Sequence, residues 1–148
     1  MLITEASPSG ALMSEARVKQ LIAACVLVDA DGRILLAQRP DDKIMGGLWE
    51  FPGGKVNADE TPEAALIREL DEELGIDTYE SCLAPLSFCT YPYETFDLIL
   101  LLYVCRRWRG RPEPIEGGTL SWVKPVRLRD YEMPPANASL IAAIQDLL

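Results

Sequence analysis

The sequence predicts an α/β protein of the mixed (α+β) kind, with a central sheet covered by helices, and three observations carry that prediction. Short apolar runs rich in β-branched residues are bounded by turn residues, as strands are. One stretch in mid-chain has apolar residues at helical spacing. The last dozen residues form an apolar segment behind Pro134-Pro135. With 148 residues the chain fits one domain with a sizeable core.

Residues 1–18 lack periodicity and contain Ser7-Pro8-Ser9-Gly10, which reads as a mobile tail preceding a domain over 19–148. No basic stretch followed by an apolar one marks a signal peptide there. Leu21 to Val28 and Arg33 to Gln38 are expected as two strands joined at Asp31-Gly32, a hairpin signal. A glycine-rich segment, Met45 to Gly54, follows. Asp59 to Gly75 is expected to be a helix, because Leu66, Ile67, Leu70 and Leu74 recur at helical spacing and Gly75 is a stop signal. Further strands are expected at about Cys82 to Tyr91, Phe96 to Trp108 and Leu120 to Lys124, with a Gly/Pro-rich loop over Arg109 to Gly118. Asn137 to Leu148 is expected as the closing helix.

Composition narrows the chemistry. The net charge of −9 opposes binding to nucleic acid polymers and anionic membranes, so a polyanionic ligand needs local help. The absence of histidine excludes Ser-His and Cys-His nucleophilic pairs and His-ligated zinc. The four cysteines form no C-x-x-C pair, and three lie in apolar runs, as reduced thiols of a cytoplasmic protein do. The longest apolar run, Leu98 to Cys105, is too short to span a bilayer.

On a helix, Glu69, Glu72 and Glu73 fall on one edge beside the apolar stripe. Like charges at this spacing weaken an isolated helix. A hard divalent cation shared with substrate phosphates would offset the repulsion, and so would a solvated face with Arg68 and Lys55 as ion-pair partners.

The run from Gly54 through Glu60, Arg68-Glu69-Leu70, Glu72-Glu73 and Gly75-Ile76 matches every fixed position of G-x5-E-x7-R-E-U-x-E-E-x-G-U, where U is a bulky aliphatic. It resembles the signature of the Nudix hydrolases. Within them, Gly46-Gly47-Leu48-Trp49-Glu50-Phe51-Pro52-Gly53-Gly54-Lys55 and Pro134-Pro135-Ala136-Asn137 are similar to the MutT branch, the 8-oxo-dGTP diphosphatases. The resemblance covers the chain from about Leu21 onward and implies an α/β/α sandwich with a mixed sheet between helices. It implies Glu69, Glu72, Glu73 and the Gly53 carbonyl as ligands of Mg²⁺, with Mn²⁺ as a substitute. Arg68 would orient a box carboxylate, with Glu60 its partner.

Several residues have two readings at this point. Glu116 is a further carboxylate near the metals and a candidate general base, alongside Glu72, or a solvated loop residue. Arg39 contacts phosphates or stands free at a strand end. Lys55 contacts substrate or pairs with the box. Ile22 faces the base or packs in the core, and Phe51 offers backbone groups to the base. Trp49, Trp108 and Trp122 read as core or rim; Tyr91 and Tyr93 stay open. Asn137 either caps the last helix or reads the base: its amide offers one donor and one acceptor, matching the O6 acceptor and N7–H donor of 8-oxoguanine but not the two acceptors of guanine. The expected activity is Mg²⁺-dependent hydrolysis of 8-oxo-dGTP to 8-oxo-dGMP and pyrophosphate, by a monomer or homodimer, as nucleotide pool sanitation. The alternatives are a CTP or dCTP pyrophosphohydrolase and a non-catalytic nucleotide-binding module.

Overall fold

A computed structural model describes residues 16–148, so most of the expected tail lies outside the described residues. Within them are seven strands: β1 (Val18–Leu27), β2 (Ile34–Gln38), β3 (Trp49–Glu50), β4 (Gly53–Lys55), β5 (Leu83–Pro92), β6 (Phe96–Cys105) and β7 (Thr119–Val123). Three α-helices accompany them: α1 (Pro62–Leu74), α2 (Pro135–Ala138) and α3 (Ile141–Leu147). One sheet has the order β4-β1-β6-β5 and is mixed, since β1 and β6 run parallel while β4 and β5 are antiparallel to their neighbours. A second, antiparallel sheet has the order β3-β2-β7.

The alternation of β1 explains the layering. Ala23, Cys25 and Leu27 pack against Leu66, Leu70 and Leu74 of α1. Ala24, Val26 and Val28 face the other way, onto the core that contains Ile141 and Ile144 of α3. Because successive strand residues point to opposite faces, one apolar strand serves two cores and the sheet is covered by helices on both sides.

Three expectations need correction. The Asp31-Gly32 turn forms, with Asp29 Oδ1 accepting from the Asp31 and Arg33 amides at 3.0 and 2.8 Å, but it does not join a hairpin. Only the bridge Val28↔Ile34 links the two strands before they part into different sheets. The cause is that both edges of β1 are taken, by β4 and β6. The closing helix is broken into α2 and α3 at Ser139, whose hydroxyl donates to the Ala136 carbonyl at 2.8 Å in place of regular continuation. The folded unit also reaches two residues further toward the N-terminus than 19, since Val18 opens β1 and Arg17 is bound to Asp97.

Helix α1 begins three residues after the expected Asp59, because Thr61 caps it by accepting from the Ala64 amide at 3.1 Å and Pro62 suits the first turn. Gly75 ends it in the left-handed conformation, φ 71°, donating to the Asp71 carbonyl. Thr61→Ala is expected to cost about 1 kcal/mol, seen as a drop of roughly 3 °C in thermal unfolding.

Candidate active site

The Gly53-Gly54 pair that opens β4 lies between β1, with which it pairs, and the end of α1. Gly53 lies opposite Ala24 in the ladder with φ 154°, and a Cβ there would overlap the Ala23 carbonyl, so only glycine allows this approach. A Cβ on Gly54 would overlap the Glu69 carboxylate. The Gly53 amide donates to Glu73 Oε1 at 3.1 Å.

Arg68 gathers the outer carboxylates. Its guanidinium donates to Glu60 at 2.6 and 3.2 Å, to Glu69 Oε2 at 3.2 Å, to Glu72 Oε1 at 3.3 Å and to the Lys55 carbonyl at 3.1 Å. The Arg68 hydrogen bonds hold Glu60 below the usual carboxylate range. Glu69 is displaced the other way by partial burial, against the pull of Arg68. Burial pushes Glu73 up to about 8, the hydrogen bond from the Gly53 amide pulls it down, and the neighbouring Glu69, Glu50 and Glu116 push it up further.

Glu73, Glu116, Gly53, Arg39, Glu50 and Phe51 line one cleft of about 380 Å³. A second cavity, of about 330 Å³, shares Arg39, Glu50, Phe51 and Gly53 with the first and is otherwise lined mainly by apolar groups, among them Ile22 and Tyr93. The polar cleft and the apolar cavity therefore adjoin through the segment from Arg39 to Gly53.

Asn137 stands on the wall of the apolar cavity, 8% exposed, and its Oδ1 accepts from the Phe51 amide at 3.1 Å. The cap reading is corrected here. Pro134 holds the N-cap position of α2 and Asn137 lies inside that helix with its side chain directed to another element. Arg39 is not a free strand-end residue either, since its Nε donates to Glu50 Oε2 at 2.5 Å. Glu72 is half exposed and Lys55 is exposed, and neither lines the two cavities. Trp49 makes an edge contact with Tyr131, and Trp108 and Trp122 stack on each other away from the cleft.

Sequence reasoning missed Glu50, which borders both cavities. Its only signal was a carboxylate one residue before Phe51, in a strand of two residues, too short to show alternation. Tyr93 and Phe96 also line the apolar cavity, Tyr93 from the turn between β5 and β6 and Phe96 from the first position of β6.

Among the described residues no three acidic side chains converge closely enough to hold an ion as they stand. The donor set nevertheless fits a divalent cation. Several carboxylates crowd the mouth of α1, and Glu73 is buried there at the cost of its own ionisation, a condition that a hard cation with oxygen preference relieves. Glu69, Glu72, Glu73, Glu116 and the Gly53 carbonyl are the groups available to hold it.

Comparison with known proteins agrees. The NUDIX domain family profile matches residues 23–143. An Escherichia coli protein named 8-oxo-dGTP diphosphatase is 34% identical over 129 residues, covering 87% of this chain and 98% of that protein. An Escherichia coli CTP pyrophosphohydrolase is 35% identical over 133 residues, covering 88% and 95%. The solution structure of the Escherichia coli ORF135 protein superposes with a TM-score of 0.79 at 32% identity over 95% of each chain. A MutT structure from work on Aliivibrio salmonicida and Vibrio cholerae gives 0.74 at 34% identity, over 88% of this chain and 99% of that one. No helix among the described residues is long and apolar enough to cross a membrane. Members of this family generally need a divalent metal. With the complete signature laid along β4 and α1 and the family profile spanning most of the chain, the protein belongs to the Nudix hydrolases.

Proposed function

We propose that the protein is a Mg²⁺-dependent pyrophosphohydrolase of 8-oxo-dGTP, releasing 8-oxo-dGMP and pyrophosphate, in a cytoplasm whose reducing state suits its four free cysteines. The observation that carries the reading is the bond from the Phe51 amide to Asn137 Oδ1. That bond fixes which end of the side-chain amide is oxygen. Nδ2 is left to donate to O6 of a purine, and the second lone pair of Oδ1 to accept the N7–H that only the oxidised base has. Ordinary guanine would set its N7 lone pair against Oδ1. Rotating the amide to relieve that clash would strand the Phe51 amide without its acceptor.

In the polar cleft Arg39 presents a guanidinium fork suited to phosphate oxygens once it leaves Glu50. When bound, the cation supplies charge stabilisation for the phosphoryl oxygens and a lowered pKa for attacking water. Glu116 and Glu72 are the candidate bases, and Glu116 borders the cleft while Glu72 faces Arg68. Arg68 keeps the outer carboxylates oriented between turnovers.

A CTP pyrophosphohydrolase is the second reading, favoured by the relative of that name at 35% identity. A turnover panel with 8-oxo-dGTP, dGTP, CTP, ADP-ribose and diadenosine polyphosphates under saturating Mg²⁺, with products resolved, separates the two. The highest kcat/KM is expected for 8-oxo-dGTP, with the monophosphate and pyrophosphate as products. CTP in first place would overturn the assignment.

A further inference from the structure

We propose that Arg17 is a positioning residue for the nucleobase, acting through the turn between β5 and β6 and the first residue of β6, which carry Tyr93 and Phe96 into the apolar cavity. The inference rests on reading that cavity as the base site. Arg17 lies outside the segment matched by the family profile, which begins at residue 23.

The register places it. Val18 pairs with Phe96 and Lys19 with Asp97 in the parallel ladder, so Arg17 sits one residue beyond the ladder, opposite the turn. Its guanidinium donates to the carbonyls of Tyr93, Glu94 and Phe96, the last at 2.9 Å, and to Asp97 Oδ1 at 2.8 Å. Three carbonyl dipoles aimed at one point repel each other unless a cation sits there. A planar fork with five N–H donors answers all of them, which a single ammonium cannot.

The turn is worth holding because of what it carries. Tyr93 and Phe96 stack with centroids 5.2 Å apart and an interplanar angle of 22°, and both line the cavity. The Tyr93 amide donates to the Phe96 carbonyl at 2.9 Å, closing the turn. Tyr93 packs against the core that contains Ala136, the residue before Asn137, and it lines the same cavity as Asn137. The same aromatic side chain thus stands beside the element that bears the base-reading amide and is tethered at its own backbone by Arg17. An exposed ion pair alone contributes little. The Arg17–Asp97 pair is different in that the same guanidinium also fixes three main-chain acceptors, so its loss releases a wall and not merely a surface contact.

The test uses the full-length chain and its Arg17→Ala, Arg17→Lys and Asp97→Asn variants, with Lys19→Ala as control. Lys19 binds only Asp97 among these groups, at 2.6 Å. For the best nucleotide substrate of the wild type, Arg17→Ala is expected to raise KM about three- to tenfold with kcat within about twofold. Affinity for the nucleoside monophosphate product should fall by the same factor, while affinity for pyrophosphate in Mg²⁺ stays unchanged. Arg17→Lys and Asp97→Asn should fall between, and Lys19→Ala should match the wild type. Deuterium uptake over residues 92–97 should rise in Arg17→Ala without a rise in α1. A fall in kcat at unchanged KM, or equal losses of monophosphate and pyrophosphate affinity, would overturn the proposal, because a merely structural residue behaves so. Unchanged uptake over the turn would overturn it as well, and that readout requires no substrate. Failure of the functional reading shows separately, in the substrate order of the wild type.

Discussion

Glu73→Gln is expected to lower kcat/KM roughly 10²–10³-fold and, in the same protein, to raise the stability of the metal-free form at pH 8. The first effect follows from removing an anionic oxygen beside Gly53 in the cleft; the second follows from burial. Glu73 is pushed up to about 8 when folded, far above its value in an unfolded chain. A raised folded pKa means that the stabilising contribution is complete below the unfolded value near 4.5. It is lost progressively as pH rises through about 8. Glutamine preserves the acceptor for the Gly53 amide and never ionises, so it escapes that loss. The check is thermal unfolding in EDTA from pH 5 to 9. The difference between variant and wild type should be small at pH 5 and grow to several degrees in favour of the variant by pH 8 to 9. Added Mg²⁺ should narrow it by stabilising only the wild type. Equal melting curves across that range, or undiminished turnover in saturating Mg²⁺, would refute the assignment of Glu73.

For Asn137→Ala the expected result is a change in preference. The ratio of kcat/KM for 8-oxo-dGTP over dGTP should fall about ten- to hundredfold, because one buried amide discriminates by roughly 1–3 kcal/mol. Since Asn137 is not the cap of α2, its removal should act through the base and through the Phe51 amide that it leaves unpaired. General loss of folded enzyme cancels in the ratio. An unchanged ratio, with both substrates equally slowed, would show that Asn137 only braces the segment between β3 and β4.

How much of this was legible in the sequence depends on how local each determinant is. Helix α1 was legible because its caps, its apolar stripe and its carboxylate edge all lie within one continuous stretch. The core role of β1 was legible as an apolar run. Its separation from β2 was not, because the edges of β1 are claimed by β4 and β6, whose pairing is a long-range fact. Asn137 was legible as two alternatives, and the structure removes the cap, since Pro134 holds that position and the Asn137 side chain accepts from Phe51 on the wall of the apolar cavity. Glu50 was hidden because it acquires meaning from Arg39 across a sheet, and Arg17 because its partners lie more than seventy positions further along the chain.

The tripeptide Phe51-Pro52-Gly53 donates one amide to Asn137 and another to Glu73, with a proline between that has no amide to offer. On the proposed reading, recognition and hydrolysis are thereby mounted on a single short bar, bent at Pro52, whose ring fixes the backbone there. Such a bar sets a fixed gauge between the base and the phosphorus attacked, and neither end can be retuned by sliding it without dislodging the other. Lengthening the segment by one residue would therefore erase selectivity and turnover together, whereas changes on the cavity walls can alter which base is held while the hydrolytic end stays in place.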